Sequence, residues 1–150
     1  MIIYLGIGTN LGNREENLHK ALCLLDDRVG GRLACSSIYR SAPQGFESKN
    51  EFANIVAVYQ TDYLPEDVLL ITQKIEREMG RNHKTVNGIY QDRVIDVDLL
   101  KAYKEMGREK WQEIKHTSDI LVLPHPRMEE RDFVCVPMHE VEQEILTIKC

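Results

Sequence analysis

Two acidic residues close together in an extended segment are the first feature of this sequence that could do chemistry. Asp96 and Asp98 lie in the stretch 93–100, where polar and aliphatic residues alternate, as is typical of a β-strand. Residues two apart in a strand share a face, so both carboxylates project the same way while the aliphatic side chains between them face a core. Carboxylates so close repel each other, and Mg²⁺, which takes oxygen ligands and leaves positions open for phosphate oxygens, would relieve that repulsion. The guanidinium group of Arg93 could bind the same phosphate.

The same spacing has a plainer interpretation. A half-exposed edge strand whose acidic residues face water would also read D-x-D, and this pattern occurs often by chance. From this segment alone, the metal site and the solvated edge strand both stay open.

The length, composition and net charge of the chain limit the kind of protein that it can be. The 150 residues, 43% hydrophobic and 29% charged, predict a single globular domain spanning 1–150 with one sizeable core. A formal net charge of −5 argues against nucleic acid as a partner, since no basic excess is present to release counterions. It leaves a small polyphosphate ligand possible, because arginines and metal ions can reverse the sign within one cleft.

The sequence also predicts a cytoplasmic location. No apolar run approaches the roughly 18 residues that span a bilayer, and the N-terminal segment lacks a basic region and a cleavage site. The cysteines, Cys23, Cys35, Cys135 and Cys150, are scattered without a C-x-x-C pair. We interpret them as reduced, mostly buried thiols and not as a zinc site or a disulfide framework.

Hydrophobic periodicity predicts two strand–helix–strand halves. Strands are expected at 2–7, 33–41, 52–61 and the D-x-D segment, and helices from Asn13 to about Asp27 and from Pro65 to a C-cap at Gly80. Residues 42–50 and 81–92 are expected to be loops, and 103–118 either a helix or a hairpin. Beyond a helical turn at 128–132, we expect a short helix followed by a strand or tail over 137–150. Two such halves can pack helices on one face of a mainly antiparallel sheet, the split βαβ arrangement.

Several separated segments together resemble a known family. They are Gly8-Thr9-Asn10-Leu11-Gly12, Ser36 to Pro43 (S-x-x-Y-x-[ST]-x-P), Phe52-Ala53-Asn54, Gln73 to Arg81 (Q-x-I-E-x-x-x-G-R), Arg93 to Leu100 (R-x-[IL]-D-[IL]-D-[IL]-L), and Leu123-Pro124-His125-Pro126 with Arg131-Asp132-Phe133-Val134. Each motif alone is weak, but this order across roughly residues 1 to 140 resembles the 6-hydroxymethyl-7,8-dihydropterin pyrophosphokinases of folate synthesis.

The resemblance implies a reaction and a fold. In this family the pterin hydroxymethyl oxygen attacks the β-phosphorus of ATP, which transfers diphosphate and releases AMP. The implied fold is a ferredoxin-like α+β sandwich, a mainly antiparallel sheet with helices packed on it and mobile loops around the cleft. Asp96 and Asp98 would hold two Mg²⁺ ions against the ATP phosphates. The implied partners are its small-molecule substrates, ATP and the reduced hydroxymethylpterin. We expect the protein to be a monomer.

The resemblance also assigns site residues by position. The pterin would be bound by Ala42, Pro43, Gly45, Phe52, Asn54, Tyr90 and Phe133. The nucleotide would be bound by Gln73, Glu76, Arg93, His125 and Arg131. The catalytic set would be Arg81, Arg93, Asp96 and Asp98. Without the resemblance, core packing suits the aromatic residues equally well, and a solvated helix face suits Gln73 and Glu76.

The sequence departs from the family pattern at one point before the D-x-D strand. Tyr90-Gln91-Asp92-Arg93 stands where the family often has Trp-x-Pro-Arg. The rival hypotheses are another Mg²⁺-dependent nucleotidyl or glycosyl transferase that uses D-x-D, and a non-catalytic ferredoxin-like ligand-binding module. The first does not require the Asn54 and Pro43 segments, and the second predicts no dependence on a metal.

Overall fold

The architecture is that of a computed structural model, which describes residues 1–41, 51–80, 85–86, 89–90, 94–107 and 110–149. The elements in chain order are β1 (Ile2–Thr9), α1 (Arg14–Arg28), β2 (Gly31–Cys35), β3 (Tyr39–Ser41), β4 (Phe52–Gln60), α2 (Pro65–Glu78), β5 (Thr85–Val86), β6 (Ile89–Tyr90), β7 (Asp96–Glu105), β8 (Trp111–Glu113), β9 (His116–Thr117), β10 (Val122–Leu123), a 3₁₀ turn (Met128–Glu130) and α3 (Asp132–Lys149).

A six-stranded antiparallel sheet forms the centre of the fold. Its strands run in the order β2-β4-β1-β7-β8, with β3 also paired to β4. Strand β1 is central and pairs with β4 on one side and with β7 on the other. The α+β class and the antiparallel sheet with helices packed on it are therefore confirmed.

The first two helices cover one face of this sheet. Leu18, Ala21 and Leu25 of α1 share a buried cluster with α2 and with alternate residues of β1 and β4. Both helices begin as the sequence predicts: the Glu16 amide donates to the Asn13 side chain over 3.1 Å, and Pro65 occupies the first turn of α2. These caps satisfy or remove amides that a helix leaves unpaired at its start.

Helix α3 covers part of the opposite face, whereas α1 and α2, the helices of the two predicted halves, share one face as expected. The α3 residues Val134, Met138, Val141 and Ile145 share a second buried cluster with Tyr4, Val56 and other residues. Their spacings of four, three and four form one helical stripe. The chain end is accordingly one helix, not a short helix followed by a strand or tail, and Pro137 lies inside it.

Three other segments differ from the prediction. The strand expected over 33–41 is divided into β2 and β3, because Ser36 turns both its amide and its hydroxyl toward the main chain of Val56. Within 81–92, expected to be a loop, β5 and β6 pair as a short hairpin. Residues 103–118, for which helix and hairpin were both open, form β-structure in which β8 pairs back onto β7.

The thiols are less buried than expected. Cys23 is exposed, and Cys35 and Cys135 are half-buried; all three are free.

Candidate active site

Strand β1 brings the candidate residues of its two neighbours into line. Gly8 pairs with Asn54 of β4 on one side and with Asp96 of β7 on the other, and Gly6 pairs with Asp98. Because directly paired residues project from the same face of a sheet, Asn54 and both aspartates share one face. This is the face that α3 covers farther along the strands.

The glycines of β1 make room for the side chains of the neighbouring strands. A Cβ atom on Gly8 would lie 2.4 Å from Oδ1 of Asn54, and a Cβ on Gly6 would lie 3.3 Å from a methyl carbon of Leu100. Only a residue without a side chain therefore fits beside Asn54 at position 8. Gly8 lies in the motif Gly8-Thr9-Asn10-Leu11-Gly12, which by itself indicates no role for it; the signal for such a role was a pair of glycines two apart in an otherwise apolar strand.

The D-x-D prediction of two faces is confirmed. Asp96 and Asp98 are half-buried, and Ile95, Val97 and Leu99 lie in the core under α1 and α2. The regular strand begins at Asp96 and not at Arg93, which lies outside the described residues.

Glu76 reaches the outer edge of β7. Its side chain is only 4% exposed, and its Oε1 accepts a hydrogen bond of 2.8 Å from the backbone N–H of Val97, between the two aspartates. The interpretation of Glu76 as part of a solvated helix face is therefore wrong. Its predicted contact with a nucleotide stays a prediction.

His125 is held at the same edge. Its backbone N–H donates to the carbonyl of Leu100 over 2.7 Å, and its Nδ1 accepts from the N–H of Arg127 over 3.1 Å. A neutral imidazole that accepts at Nδ1 carries its proton on Nε2. His125 can therefore present an N–H donor to an anion.

The aromatic candidates lie on or near the face of Asn54. Phe52 is two residues before Asn54 in β4, so both project from the same face, and Phe52 is half-buried. Phe133 packs against the cluster beneath α3 on that same side. The guanidinium carbon of Arg131 lies 5.5 Å from the centre of the Phe133 ring, a cation–π arrangement.

The remaining candidates cannot be located at the site. Gln73 is half-buried on α2, three residues before Glu76. For Tyr90 the backbone pairs with Thr85 in the β5–β6 hairpin. Ala42, Pro43, Gly45, Arg81 and Arg93 lie outside the described residues.

Lys101 is a charged residue that lies outside all of the sequence motifs. A β-bulge shifts the pairing of β7 with β1, so that Lys101 lies opposite Tyr4 and its ammonium lies 4.8 Å from the Tyr4 ring centre. It donates a hydrogen bond to Glu142 of α3. Burial lowers the pKa of Lys101, but the bond to Glu142 and the neighbouring Tyr103 and Tyr4 outweigh it, and the pKa lies above its ordinary value.

The donor set on β7 fits Mg²⁺ and not a metal held by protein side chains alone. In the part of the chain that the structure describes, no group of three or more histidine, cysteine, aspartate or glutamate residues could enclose an ion. Asp96 and Asp98 offer carboxylate oxygens on one face beside the glycines of β1. Mg²⁺ is typically held by one or two carboxylates together with substrate phosphates and water, which this pair matches.

Most of the sequence matches the model of one protein family. The profile of 7,8-dihydro-6-hydroxymethylpterin-pyrophosphokinase (HPPK) matches residues 4–143. The chain belongs to this family. A 2-amino-4-hydroxy-6-hydroxymethyldihydropteridine pyrophosphokinase of Porphyromonas gingivalis is 43% identical over 142 residues, 93% of this chain and 90% of the relative. One from Aquifex aeolicus is 34% identical over 144 residues, 96% of this chain and 82% of the relative. The chain is accordingly an ATP-dependent diphosphotransferase.

A solved structure supports the fold independently. The crystal structure of an HPPK-DHPS in complex with substrates has a TM-score of 0.67 at 18% identity. The alignment covers 95% of this chain and 40% of the solved one, so this chain spans about two fifths of that longer protein. At this identity the likeness bears on the fold and not on individual residues.

Proposed function

We propose that this chain binds Mg²⁺–ATP at Asp96 and Asp98 and the reduced pterin at Asn54, across the glycines of β1. The family's reaction, transfer of diphosphate from ATP to the hydroxymethyl group of 6-hydroxymethyl-7,8-dihydropterin in folate biosynthesis, is the activity of this chain. The observation that carries the residue assignment is the register: Asn54, Gly8 and Asp96 form one row across β4, β1 and β7. A pterin at Asn54 is then directly beside a nucleotide at the aspartates.

The residues at and around the outer edge of β7 are proposed to bind the nucleotide. His125, with its proton on Nε2, is suited to donate to a phosphate oxygen. Arg81, Arg93 and Arg131 are proposed to neutralise further phosphate charge, and Gln73 to contact the nucleoside. Two Mg²⁺ ions held by Asp96 and Asp98 would supply charge neutralisation and alignment of the phosphates.

The side-chain amide of Asn54 is proposed to bind the pterin. Its carbonyl oxygen accepts and its NH₂ group donates, which suits a heterocycle whose edge presents both kinds of group. Asn54 is 8% exposed, so these bonds would form out of bulk water, where an unpaired amide is costly. Phe52 and Phe133 are proposed to contact the ring faces, with Ala42, Pro43, Gly45 and Tyr90 completing the pocket.

The chemical step needs alignment more than a dedicated base. The hydroxymethyl oxygen forms a bond to the β-phosphorus and loses its proton to the solvent. The bond from that phosphorus to the oxygen bridging it to the α-phosphorus breaks, and AMP leaves with that oxygen. The chain's contribution is to hold both substrates in line and to match the phosphate charge, as in other phosphoryl transfers.

The setting of the reaction is also part of the proposal. We expect a single-domain monomer, located in the cytoplasm, that acts on small molecules and not on nucleic acid. Among the described residues, no helix is long and apolar enough to cross a bilayer.

The test is product analysis with purified protein, ATP, Mg²⁺ and the reduced hydroxymethylpterin. We expect AMP to form only when both Mg²⁺ and the pterin are present. Asp96→Asn and Asp98→Asn should each lower kcat by at least about a hundredfold, since charge stabilisation at a transferring phosphoryl group is worth several kcal/mol. Asp119→Asn, a change at an exposed acid between β9 and β10, is the matched control and should behave as wild type.

Other outcomes identify the rival functions. ADP or free pyrophosphate as the product would favour another Mg²⁺-dependent transferase. The absence of any nucleotide turnover would favour a ligand-binding module. Near-normal activity in both aspartate variants would refute the metal role of the pair.

A further inference from the structure

In the described part of the chain, the outer edge of β7 has no paired strand beside the two aspartates. Among the described residues, β8 pairs with β7 only over Tyr103–Glu105, the end remote from Asp96. On the other side, β1 pairs with β7 along its whole site half. An unpaired strand edge leaves main-chain N–H and C=O groups without partners, and such an edge is also free to shift.

Two groups from outside the sheet occupy this edge. The carboxylate of Glu76 accepts from the N–H of Val97 at 2.8 Å, and the N–H of His125 donates to the carbonyl of Leu100 at 2.7 Å. Together they replace ladder hydrogen bonds over the stretch 97–100. Glu76 therefore ties α2 to the peptide unit midway between Asp96 and Asp98.

The bond from Val97 to Glu76 is short and shielded from water. Its N···O distance is 2.8 Å, and Glu76 is 4% exposed, so little water competes for it. The helix is itself fixed, because Val68, Leu69 and Ile75 of α2 lie in the core beneath the sheet. A rigid helix thus sets the position of one peptide group in the strand.

We propose that Glu76 is a positioning residue for the metal–nucleotide site: by fixing the Val97 peptide, it holds Asp96 and Asp98 at the separation and angle that bind the ion. This inference rests on the proposed role of the aspartate pair. The groups that orient metal ligands matter nearly as much as the ligands themselves. A positioning role requires a hydrogen-bond acceptor of the right length at position 76. It does not require a negative charge there, as a direct contact with the nucleotide would.

Two substitutions separate these requirements. Glu76→Gln keeps an acceptor oxygen and removes the charge. Glu76→Met keeps about the same volume and removes the acceptor, which leaves the Val97 amide without this partner. Glu78→Ala is the matched control, because it removes a 40%-exposed carboxylate from the same helix.

The main readout is the binding of Mn²⁺, as a paramagnetic substitute for Mg²⁺, to protein saturated with α,β-methylene-ATP. For Glu76→Met we expect roughly ten- to hundredfold weaker binding, the usual effect of losing a group that orients metal ligands. Glu76→Gln should bind Mn²⁺ within about threefold of wild type, and Glu78→Ala as wild type does.

The second readout is amide hydrogen exchange by NMR. The Val97 amide should exchange slowly in wild type and in Glu76→Gln and faster in Glu76→Met, while Val58 in the core of β4 keeps its protection. A merely structural loss of stability would accelerate exchange at both amides. Fast exchange at Val97 in the wild-type protein would overturn the proposal even if the methionine variant did not fold.

Two further results would overturn it. Wild-type Mn²⁺ affinity in Glu76→Met would show that the strand holds its position without this bond. Equal losses in the glutamine and methionine variants would show that the charge matters, as for a direct contact. Asp96→Asn, measured in parallel, tests the metal role of the aspartates separately from the positioning role of Glu76. Unchanged Mn²⁺ binding in that variant would contradict the proposed function itself.

Discussion

At the residue scale, the site depends as much on missing side chains as on those present. Asn54 is buried in a central strand, and its amide fits there because position 8 of the neighbouring strand carries no Cβ atom. A methyl group at Gly8 would come within 2.4 Å of Oδ1 of Asn54, whereas one at Gly6 would touch only the flexible end of Leu100 at 3.3 Å. Two glycines in the same strand therefore differ in how much substitution they tolerate.

This difference gives a direct prediction. Gly8→Ala should force Asn54 away from its position and raise KM for the pterin by about tenfold, the equivalent of roughly one hydrogen bond. Gly6→Ala, the matched comparison, should change the pterin KM less, because the terminal methyl groups of Leu100 can move. Steady-state kinetics with each substrate varied in turn measures both effects. Equal pterin KM values for the two variants would contradict this assignment of Asn54.

The sequence predicted the shared face of the two aspartates better than the residues that hydrogen-bond or pack around them. The alternation over 93–100 was sufficient to assign the faces of Asp96 and Asp98, because strand periodicity fixes which side chains share a side. The role of Gly8 could not be read in the same way, since it depends on the register between β1 and β4. The bond from Glu76 to Val97 likewise joins residues 21 apart in the sequence, and periodicity carries no information about it.

At the scale of elements, α3 is tied to the sheet by a charged contact beside its apolar stripe. Lys101 donates to Glu142, and its ammonium lies 4.8 and 5.7 Å from the ring centres of Tyr4 and Tyr103. The lysine side chain is 13% exposed. The contact therefore belongs to the packing of α3 against the sheet and not to a free surface.

The raised pKa of Lys101 predicts how this contact responds to pH. A lysine that holds its proton more tightly in the folded protein stabilises the fold fully below its ordinary pKa of 10.5 and less as pH rises through the higher folded value. The difference in unfolding free energy between wild type and Glu142→Gln should thus be constant, at about 1 kcal/mol, from pH 7 to about 10, and should shrink above that. Urea unfolding at several pH values measures it; a difference that grows with alkaline pH would contradict this account.

The elements themselves were predicted unevenly. Helix α1 has an N-cap residue, α2 has a proline in its first turn, and both have an apolar stripe, so both were predicted nearly to their ends. Helix α3 was predicted only in part, as a short helix within 137–150, whereas it begins at Asp132. The stripe of Val134, Met138, Val141 and Ile145 continues across Pro137, and its burial against the sheet outweighs the one hydrogen bond that proline removes.

At the scale of the whole molecule, the two faces of the sheet differ in how they are covered. One face is packed along its length by α1 and α2. The other face is packed by α3 at one end and carries Asn54, Asp96 and Asp98 at the other. Since the same strands run through both ends, a rigid apolar core holds the polar residues in register. Ordered motifs predicted the family and the fold class, whereas the second helical layer required knowledge of tertiary packing.

The central claim is that the aspartate pair of β7 receives the metal-loaded triphosphate. A crystal structure with Mg²⁺ and α,β-methylene-ATP, in which the bond broken by the reaction is replaced, tests it most directly. The account predicts an ion with carboxylate oxygens of both Asp96 and Asp98 at about 2.1 Å, phosphate oxygens completing its coordination, and Asn54 facing the pterin space alongside. Nucleotide bound elsewhere, with both carboxylates turned to bulk solvent and no ion between them, would contradict it.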